Sequence, residues 1–136
     1  MKWFVVTNRD KISNSEFGED PTWKGKIHFL SNTTDRMPRS NRQLKLNYIG
    51  DSKIKRAKKA FVDDIRKQLI SMGKQLKQGA KPVLLLIVHG YNTNYDEAVE
   101  SYVELRRNFH KSVGKNDFEK HCLPVLFTWP SEGTIV

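Results

Sequence analysis

The longest apolar run in the chain, Val83–Val88, predicts a strand. It contains only valine, leucine and isoleucine and ends abruptly at His89-Gly90. A run without polar alternation is typical of a strand buried on both faces, as in a parallel sheet. Ligands and catalytic groups gather beyond the carboxyl ends of such strands, so a functional site is expected at His89.

A helical hydrophobic period precedes this strand. Between Ile54 and Leu76 apolar residues recur at every third or fourth position. This spacing predicts a long helix with one stripe facing the core. Ser52 is suited to begin the helix as its N-cap, and Gly79 is suited to end it.

A second helix and another apolar strand follow the first strand. Asn94 and Glu97 resemble a capping box, and the helix that they open is expected to end near Gly114. The charged residues 115–120 indicate a loop, and 123–129 indicate a strand. Strand, helix and strand of these lengths predict a parallel, right-handed β-α-β unit, so the predicted fold class is α/β.

The first third of the chain has shorter apolar segments. Residues 3–7 and 27–30 predict strands, and 44–48 alternates as a half-buried strand does. The polar stretches 8–26 and 31–42 are predicted as loops. These segments together predict a small antiparallel sheet.

The length of 136 residues fits one domain with a modest core. We expect a single domain over 1–136, with an N-terminal β region at 1–50 and an α-β-α-β region at 51–136. The apolar runs are much shorter than the ~20 residues that a membrane helix needs. No membrane span and no export signal are expected, which favours a cytoplasmic protein.

The chain is basic, with 24 Lys and Arg against 15 Asp and Glu and a net charge of +9. The cations cluster at 36–42, 53–59 and 74–81. Such a balance indicates either an anionic partner, such as nucleic acid or an anionic membrane surface, or a solvated basic face. With a single cysteine, Cys122, and no metal-ligand spacing among the histidines, no disulfide, metal or other cofactor is expected.

Two strand ends carry a family resemblance. The motifs are His89-Gly90-Tyr91-Asn92 and Trp129-Pro130-Ser131, separated by one helix, with Val6-Thr7-Asn8-Arg9 as weaker support. They resemble a family of α/β-hydrolase-fold proteins catalogued as hydrolases of unknown function. The clear resemblance covers about residues 83–133.

The resemblance implies a serine hydrolase with a Ser-His-Asp or Ser-His-Glu triad, acting on a small-molecule ester or related acyl compound. Peptide N–H groups of the Gly90–Tyr91–Asn92 segment would then bind the oxyanion, and His89 would shape that loop. Gly90 would let the backbone turn sharply and approach the substrate, because it has no Cβ.

A nucleophile elbow needs a strand before its serine and a helix after it. Ser71 lies inside the first predicted helix, Ser112 follows a helix, and Ser131 lacks the residues that complete an elbow. We therefore expect a partial hydrolase fold, the N-terminal portion of an enzyme and inactive alone. His28 is predicted to have no special role, and His110 and His121 to be solvated.

Two further expectations concern partners. Without the remaining strands of a hydrolase sheet, strand 83–88 or strand 125–129 would have an exposed apolar edge, which favours self-association. The alternative to an enzyme is a non-catalytic basic α/β module that binds an anionic partner such as nucleic acid.

Overall fold

The computed structural model describes residues 1–22, 25–90 and 93–130, and a five-stranded mixed sheet lies at its centre. The strands are β1 (Lys2–Thr7), β2 (Arg9–Lys11), β3 (Phe17–Pro21), β4 (His28–Thr33), β5 (Asn47–Asp51), β6 (Val83–Val88) and β7 (Cys122–Thr128). The helices are α1 (Asn41–Leu44), α2 (Lys55–Gln75), α3 (Tyr95–Val113) and α4 (Lys115–His121).

The strand order in the main sheet is β5-β4-β1-β7-β6. β1 is antiparallel to β4 and parallel to β7, and β6 is parallel to β7. The parallel β6-α3-β7 unit confirms the predicted α/β class. The predicted antiparallel strands of the first third belong to this same sheet, because β1 lies at its centre.

The two faces of the sheet carry separate cores, since successive side chains of a strand point to opposite faces. On one face Trp3 packs edge-to-face on Tyr102 of α3, with ring centroids 5.2 Å apart. On the other face Phe4 packs edge-to-face on Phe61 of α2. The apolar stripe predicted for the first long helix is therefore confirmed as core-facing through Phe61 and its neighbours.

The start of α2 differs from the prediction. Its N-cap is Ile54, without a side-chain hydrogen bond. The Ser52 hydroxyl instead accepts a hydrogen bond from the Ile27 amide at 2.9 Å, so it ties β5 to β4. The helix also ends before Gly79, at Gln75. α3 does follow the prediction, because the Asn94 side chain caps the Glu97 amide at 2.8 Å.

Two predicted loops contain regular structure. The stretch 8–26 contains the β2–β3 hairpin, whose residue Phe17 is buried against Tyr95. The stretch 115–120 forms most of α4, whose residue Phe118 is buried against Phe109. In each segment a buried aromatic residue, Phe17 or Phe118, supplies an anchor that the surrounding polar composition hides.

The alternating segment 44–48 is also assigned differently. Leu44 ends the short helix α1, and Lys45 adopts a positive φ of 49° that terminates it. β5 then begins at Asn47. The polar stretch 31–42 is shorter than predicted, because β4 continues to Thr33.

The expectation that strand 83–88 is buried on both faces is wrong. β6 is an edge strand with β7 as its neighbour, and Leu86 remains 62% exposed. Val83, Leu84 and Val88 are about half exposed as well. The run is apolar on both faces, but α2 covers the part of the sheet around β4, β5 and β1 instead.

A buried ion cluster joins α3 to α4 near the start of β1. The Arg106 guanidinium, 1% exposed, donates to both carboxylate oxygens of Glu119 and to the Lys2 carbonyl. His110 lies 2.8 Å from the same carboxylate, so the expectation of a solvated His110 is wrong. Burial raises the pKa of Glu119, but its bonds to Arg106 and His110 outweigh this effect and lower the pKa.

Candidate functional site

A row of polar side chains crosses the sheet where the parallel strands end. Asp51, His28, Thr7 and Thr128 are cross-strand partners in register, from β5 through β4 and β1 to β7. His89 extends the row, because Val88 pairs with Phe127, one residue before Thr128. Directly paired residues project to the same face of a sheet. The row therefore lies on one face, at the carboxyl ends of the parallel strands.

His89 connects two of these strand ends. Its Nε2 accepts a hydrogen bond from the Trp129 amide at 3.0 Å, and its Nδ1 lies 2.7 Å from the Gly90 carbonyl oxygen. The imidazole also stacks on the Trp129 indole, with ring centroids 5.5 Å apart and planes at 15°. The predicted site residue thus fastens the end of β6 to the end of β7.

The partners of His89 define its tautomer. An amide can only donate, so Nε2 must be the acceptor and Nδ1 must carry the proton that Gly90 receives. Both ring nitrogens are then engaged in structural bonds. In this arrangement His89 positions the loop that follows and has no free nitrogen to act as a general base.

The rest of the predicted loop is described only in part. Gly90 does not have a positive φ, so its own backbone conformation is one that other residues also adopt. Among the described atoms, a Cβ on Gly90 would meet nothing within 4 Å, which leaves room for close approach. Tyr91 and Asn92 lie outside the described residues, and their predicted role as oxyanion donors stays a prediction.

Arg9 holds the far end of this loop. It is fully buried, and its Nε donates to the Thr128 hydroxyl at 2.9 Å. Nη1 donates to Glu19 of β3 at 2.8 Å, and Nη2 donates to the Thr93 carbonyl at 2.5 Å. One guanidinium therefore joins the ends of β1 and β7 to the hairpin and to the residue before the α3 cap.

Asn8, beside Arg9, has a buried Oδ1 for which the described residues provide no hydrogen-bond partner. A buried acceptor without a partner costs about 1–3 kcal/mol. The explanations for such a group are backbone strain, a catalytic role, or a bound water or ion. Asn8 therefore joins Arg9 as a polar residue of interest at the end of β1.

His28, near the centre of the row, is buried and has a partner. Its Nδ1 lies 2.8 Å from the Tyr48 hydroxyl, and the Phe17 ring packs on its other side. Burial lowers the pKa of His28, and the nearby Asp51 carboxylate only partly opposes this effect. The residue is thus a neutral core histidine in a strand, with a hydrogen bond that the sequence did not indicate.

The candidate serines are far from an elbow geometry. Ser71 lies within α2 and Ser112 within the last turn of α3, and both are exposed. Ser131 lies outside the described residues. Within the described ranges, no cluster of His, Cys, Asp and Glu is placed to hold a metal ion. Among the helices the structure describes, none combines the length and apolar character of a membrane-spanning segment.

The sequence identified His89 but not the role of Arg9. In the sequence Arg9 is one residue of the Val6-Thr7-Asn8-Arg9 motif, and an arginine near the end of a strand is usually solvated. The available signal was its position, because the end of a strand beside a parallel neighbour meets the same edge as His89.

Comparison with known proteins identifies the family to which the chain belongs. Residues 65–136 match the family model described as alpha/beta hydrolase of unknown function (DUF900). The match includes β6, α3 and β7, and hence His89 and Trp129. No curated protein and no solved structure matches the chain.

Proposed function

Because the chain belongs to the DUF900 family of alpha/beta hydrolases of unknown function, we propose that it is the N-terminal portion of a serine hydrolase. The reaction proposed is acyl transfer from a small-molecule ester to water. Residues 1–136 would contribute one incomplete hydrolase domain. Its part in the chemistry would be the oxyanion loop, formed by His89, Gly90, Tyr91 and Asn92.

The observation that carries this proposal is the anchoring of the loop at both ends. His89 ties its start to Trp129, and Arg9 ties Thr93 at its end. An oxyanion hole works because its N–H donors are fixed before charge develops, and each such donor contributes a factor of about 10²–10³ in rate. The bonds at the two flanks of the loop, from buried or half-buried side chains, support such a role.

The proposed chemistry follows from this placement. A serine Oγ would attack the ester carbonyl carbon while its proton passes to a histidine of the triad, not to His89. The carbonyl π electrons move to oxygen, and loop N–H groups stabilise that oxyanion. Collapse of the intermediate breaks the bond to the alcohol oxygen, which takes the proton from the triad histidine and leaves as the alcohol. Water then attacks the acyl-enzyme by the same two steps and releases the acid, and the proton returns to the serine.

The free edge of β6 supports the expected place of the nucleophile. Its apolar residues are half exposed, and an apolar edge of this kind is normally paired. A further strand that paired with β6 in parallel would have its carboxyl end beside His89, next to the row of polar side chains. We propose that this strand carries the serine elbow.

A groove beside His89 supports an apolar acyl substrate. It has a volume of about 300 Å³ and runs between β6 and α3, where Ile87, Tyr102 and Leu105 contribute to its wall. Concave apolar sites next to a few polar groups are typical of small-molecule binding. The groove would accept the acyl chain while the ester carbonyl faces the loop.

The test is fluorophosphonate labelling of the gene's product expressed from its own locus, followed by peptide mapping. The probe reacts with an activated serine, and we expect one adduct, on neither Ser71 nor Ser112. His89→Phe keeps an aromatic ring beside Trp129 but removes both hydrogen bonds of the imidazole. We expect it to slow labelling by about 10²-fold.

The matched control is His121→Phe, because His121 is an exposed histidine whose recorded bond is to the Asp117 carbonyl within α4. It should label at the parental rate. An adduct on Ser71 or Ser112, or no adduct on any serine of the intact product, would overturn the proposal.

A further inference from the structure

The net charge of the protein is concentrated on one helix and its flanks. Residues 53–81, which include α2, hold ten Lys and Arg against two Asp, and so account for +8 of the +9. The remaining sequence is nearly balanced. The sequence clusters 53–59 and 74–81 are far apart in the chain, but they lie at the two ends of α2.

The cations are on the side of α2 that faces away from the sheet. Phe61 and Ala57 are buried against the sheet, whereas Lys55, Lys59 and Arg66 are exposed. The two carboxylates of the helix already have partners. Asp63 pairs with Lys59, and Asp64 lies 3.1 Å from Lys2. The helix has seven Lys and Arg against these two Asp, so a positive surface remains along it.

Folding does not call for this charge. Lys55, Arg56, Lys58 and Lys59 lie in the first two turns, the first turn has no acidic residue, and no side chain caps the helix. The N-terminal end of a helix is the positive end of its dipole, so cations there oppose helix formation. A local rule broken in this way is expected where a function requires it.

Exposed aliphatic side chains lie among these cations. Val62 and Ile70, four residues before and after Arg66, are 41% and 54% exposed. The one aromatic residue of the helix, Phe61, is buried. Single-stranded nucleic acids favour exposed aromatic rings for base stacking. Anionic membranes attract clusters of Lys and Arg, and exposed aliphatic side chains among the cations add apolar area that the headgroup layer can bury.

We propose that the outward face of α2, formed by Lys55, Lys59, Val62, Arg66 and Ile70, docks on the anionic headgroups of a membrane. A helix of 21 residues presents a straight surface about 30 Å long, which suits a flat partner. The cations would contact phosphate and carboxylate groups, and the aliphatics would enter the headgroup layer. This proposal is independent of the hydrolase chemistry.

The test is co-sedimentation of the full chain with phosphatidylcholine vesicles that contain about 30 mol% phosphatidylserine. The charge variant is Lys55→Gln with Lys59→Gln and Arg66→Gln. Each cation near an anionic surface contributes roughly a factor of five, so we expect binding to fall by about 100-fold. Pure phosphatidylcholine vesicles should bind weakly.

Two further variants separate the explanations. Arg42→Gln with Lys111→Gln and Lys120→Gln removes the same charge from exposed residues of α1, α3 and α4, and should bind nearly as the parent does. Val62→Ser with Ile70→Ser should weaken vesicle binding but leave binding to a short DNA duplex unchanged.

Three results would overturn the proposal. The first is an equal loss in the two charge variants, which would reflect net charge alone. The second is equal binding to both kinds of vesicle. The third is tighter binding to the duplex than to anionic vesicles, with no effect of the aliphatic variant, which would identify nucleic acid as the partner. Circular dichroism would confirm that every variant keeps its helix.

Discussion

His28 and His89 lie in one row of side chains, but different contacts surround the two imidazole rings. His89 is held by two hydrogen bonds that use both ring nitrogens. His28 is buried between Phe17 and Tyr48, and its Nδ1 lies 2.8 Å from the Tyr48 hydroxyl. Removal of a charge from water is costly, so the buried ring favours its neutral form.

Acid should destabilise the protein through His28. Its pKa is lowered in the folded state, so between that value and the ordinary value of about 6.5 the unfolded chain binds more protons. The free energy of unfolding should therefore fall as pH drops below about 6.5. We expect His28→Gln to weaken this dependence, measured by urea unfolding at pH 7.5, 6.5 and 5.5.

The matched control for this measurement is His121→Gln, which changes an exposed histidine of α4. Its curve should parallel that of the parent. If His28→Gln and the parent lose the same free energy between pH 7.5 and 5.5, the argument from burial is wrong.

At the scale of elements, α2 and β6 each have a residue pattern that is unfavourable in its present environment. α2 carries cations at the end where its dipole is positive. β6 is apolar on both faces but half exposed at the edge of the sheet. Both features reduce the stability of the isolated chain, and both concern surfaces that a partner or a further strand would cover.

The cost of the charge on α2 can be measured with one substitution. Lys55→Glu places a carboxylate in the first turn, where it complements the dipole and can pair with Lys59 one turn later. We expect the free energy of unfolding to rise by about 0.5–1 kcal/mol. Urea unfolding at low ionic strength is the appropriate measurement, because salt screens the effect.

Lys74→Glu provides the control, since it removes the same charge from the last turn of α2, where a cation is favourable. It should give no gain, or a small loss. An equal gain from both variants would show that net charge, rather than position on the helix, decides the stability.

At the scale of the whole molecule, the sheet has two different edges. β5 closes one edge as a short strand with a bulge in its pairing to β4, whereas β6 leaves a flat apolar edge at the other. Irregular, short edges discourage pairing with another chain, and flat apolar edges invite it. The chain should therefore associate through β6.

Leu86→Lys tests this expectation, because a charge on the most exposed residue of β6 should oppose strand pairing. Sedimentation velocity at protein concentrations from about 10 to about 200 µM is the measurement. The parent should self-associate over this range, and Leu86→Lys should remain monomeric. Ile49→Lys, on the opposite edge, should behave as the parent does. A monomeric parent at every concentration contradicts the prediction.

The sequence predicted the parts of the fold that depend on local pattern. The helical spacing of α2 and α3 and the apolar strands β6 and β7 were sufficient for the α/β class. The hairpin anchored by Phe17 and the helix anchored by Phe118 were missed, because each depends on one buried aromatic in a polar segment. The edge position of β6 was also hidden, since strand order is set by pairing across the chain.

The site was predictable in position but not in its contacts. His89 follows an apolar strand, which is a local signal. The bond from the Trp129 amide to His89 and the bonds of Arg9 join residues from distant parts of the chain. No spacing rule predicts such contacts, because they appear only when β1, β7 and the hairpin assemble.

The central position of β1 has a consequence for synthesis on the ribosome. Among the described strands β1 leaves the exit tunnel before the others, and β4 follows soon enough to pair with it. Its other partner, β7, is the last described strand, so Phe4 must wait for Val125 to emerge before the sheet can close. Nascent chains therefore expose one side of β1 until β7 has been made. Chains with such distant pairings fold slowly and depend on chaperones more than chains with local contacts do.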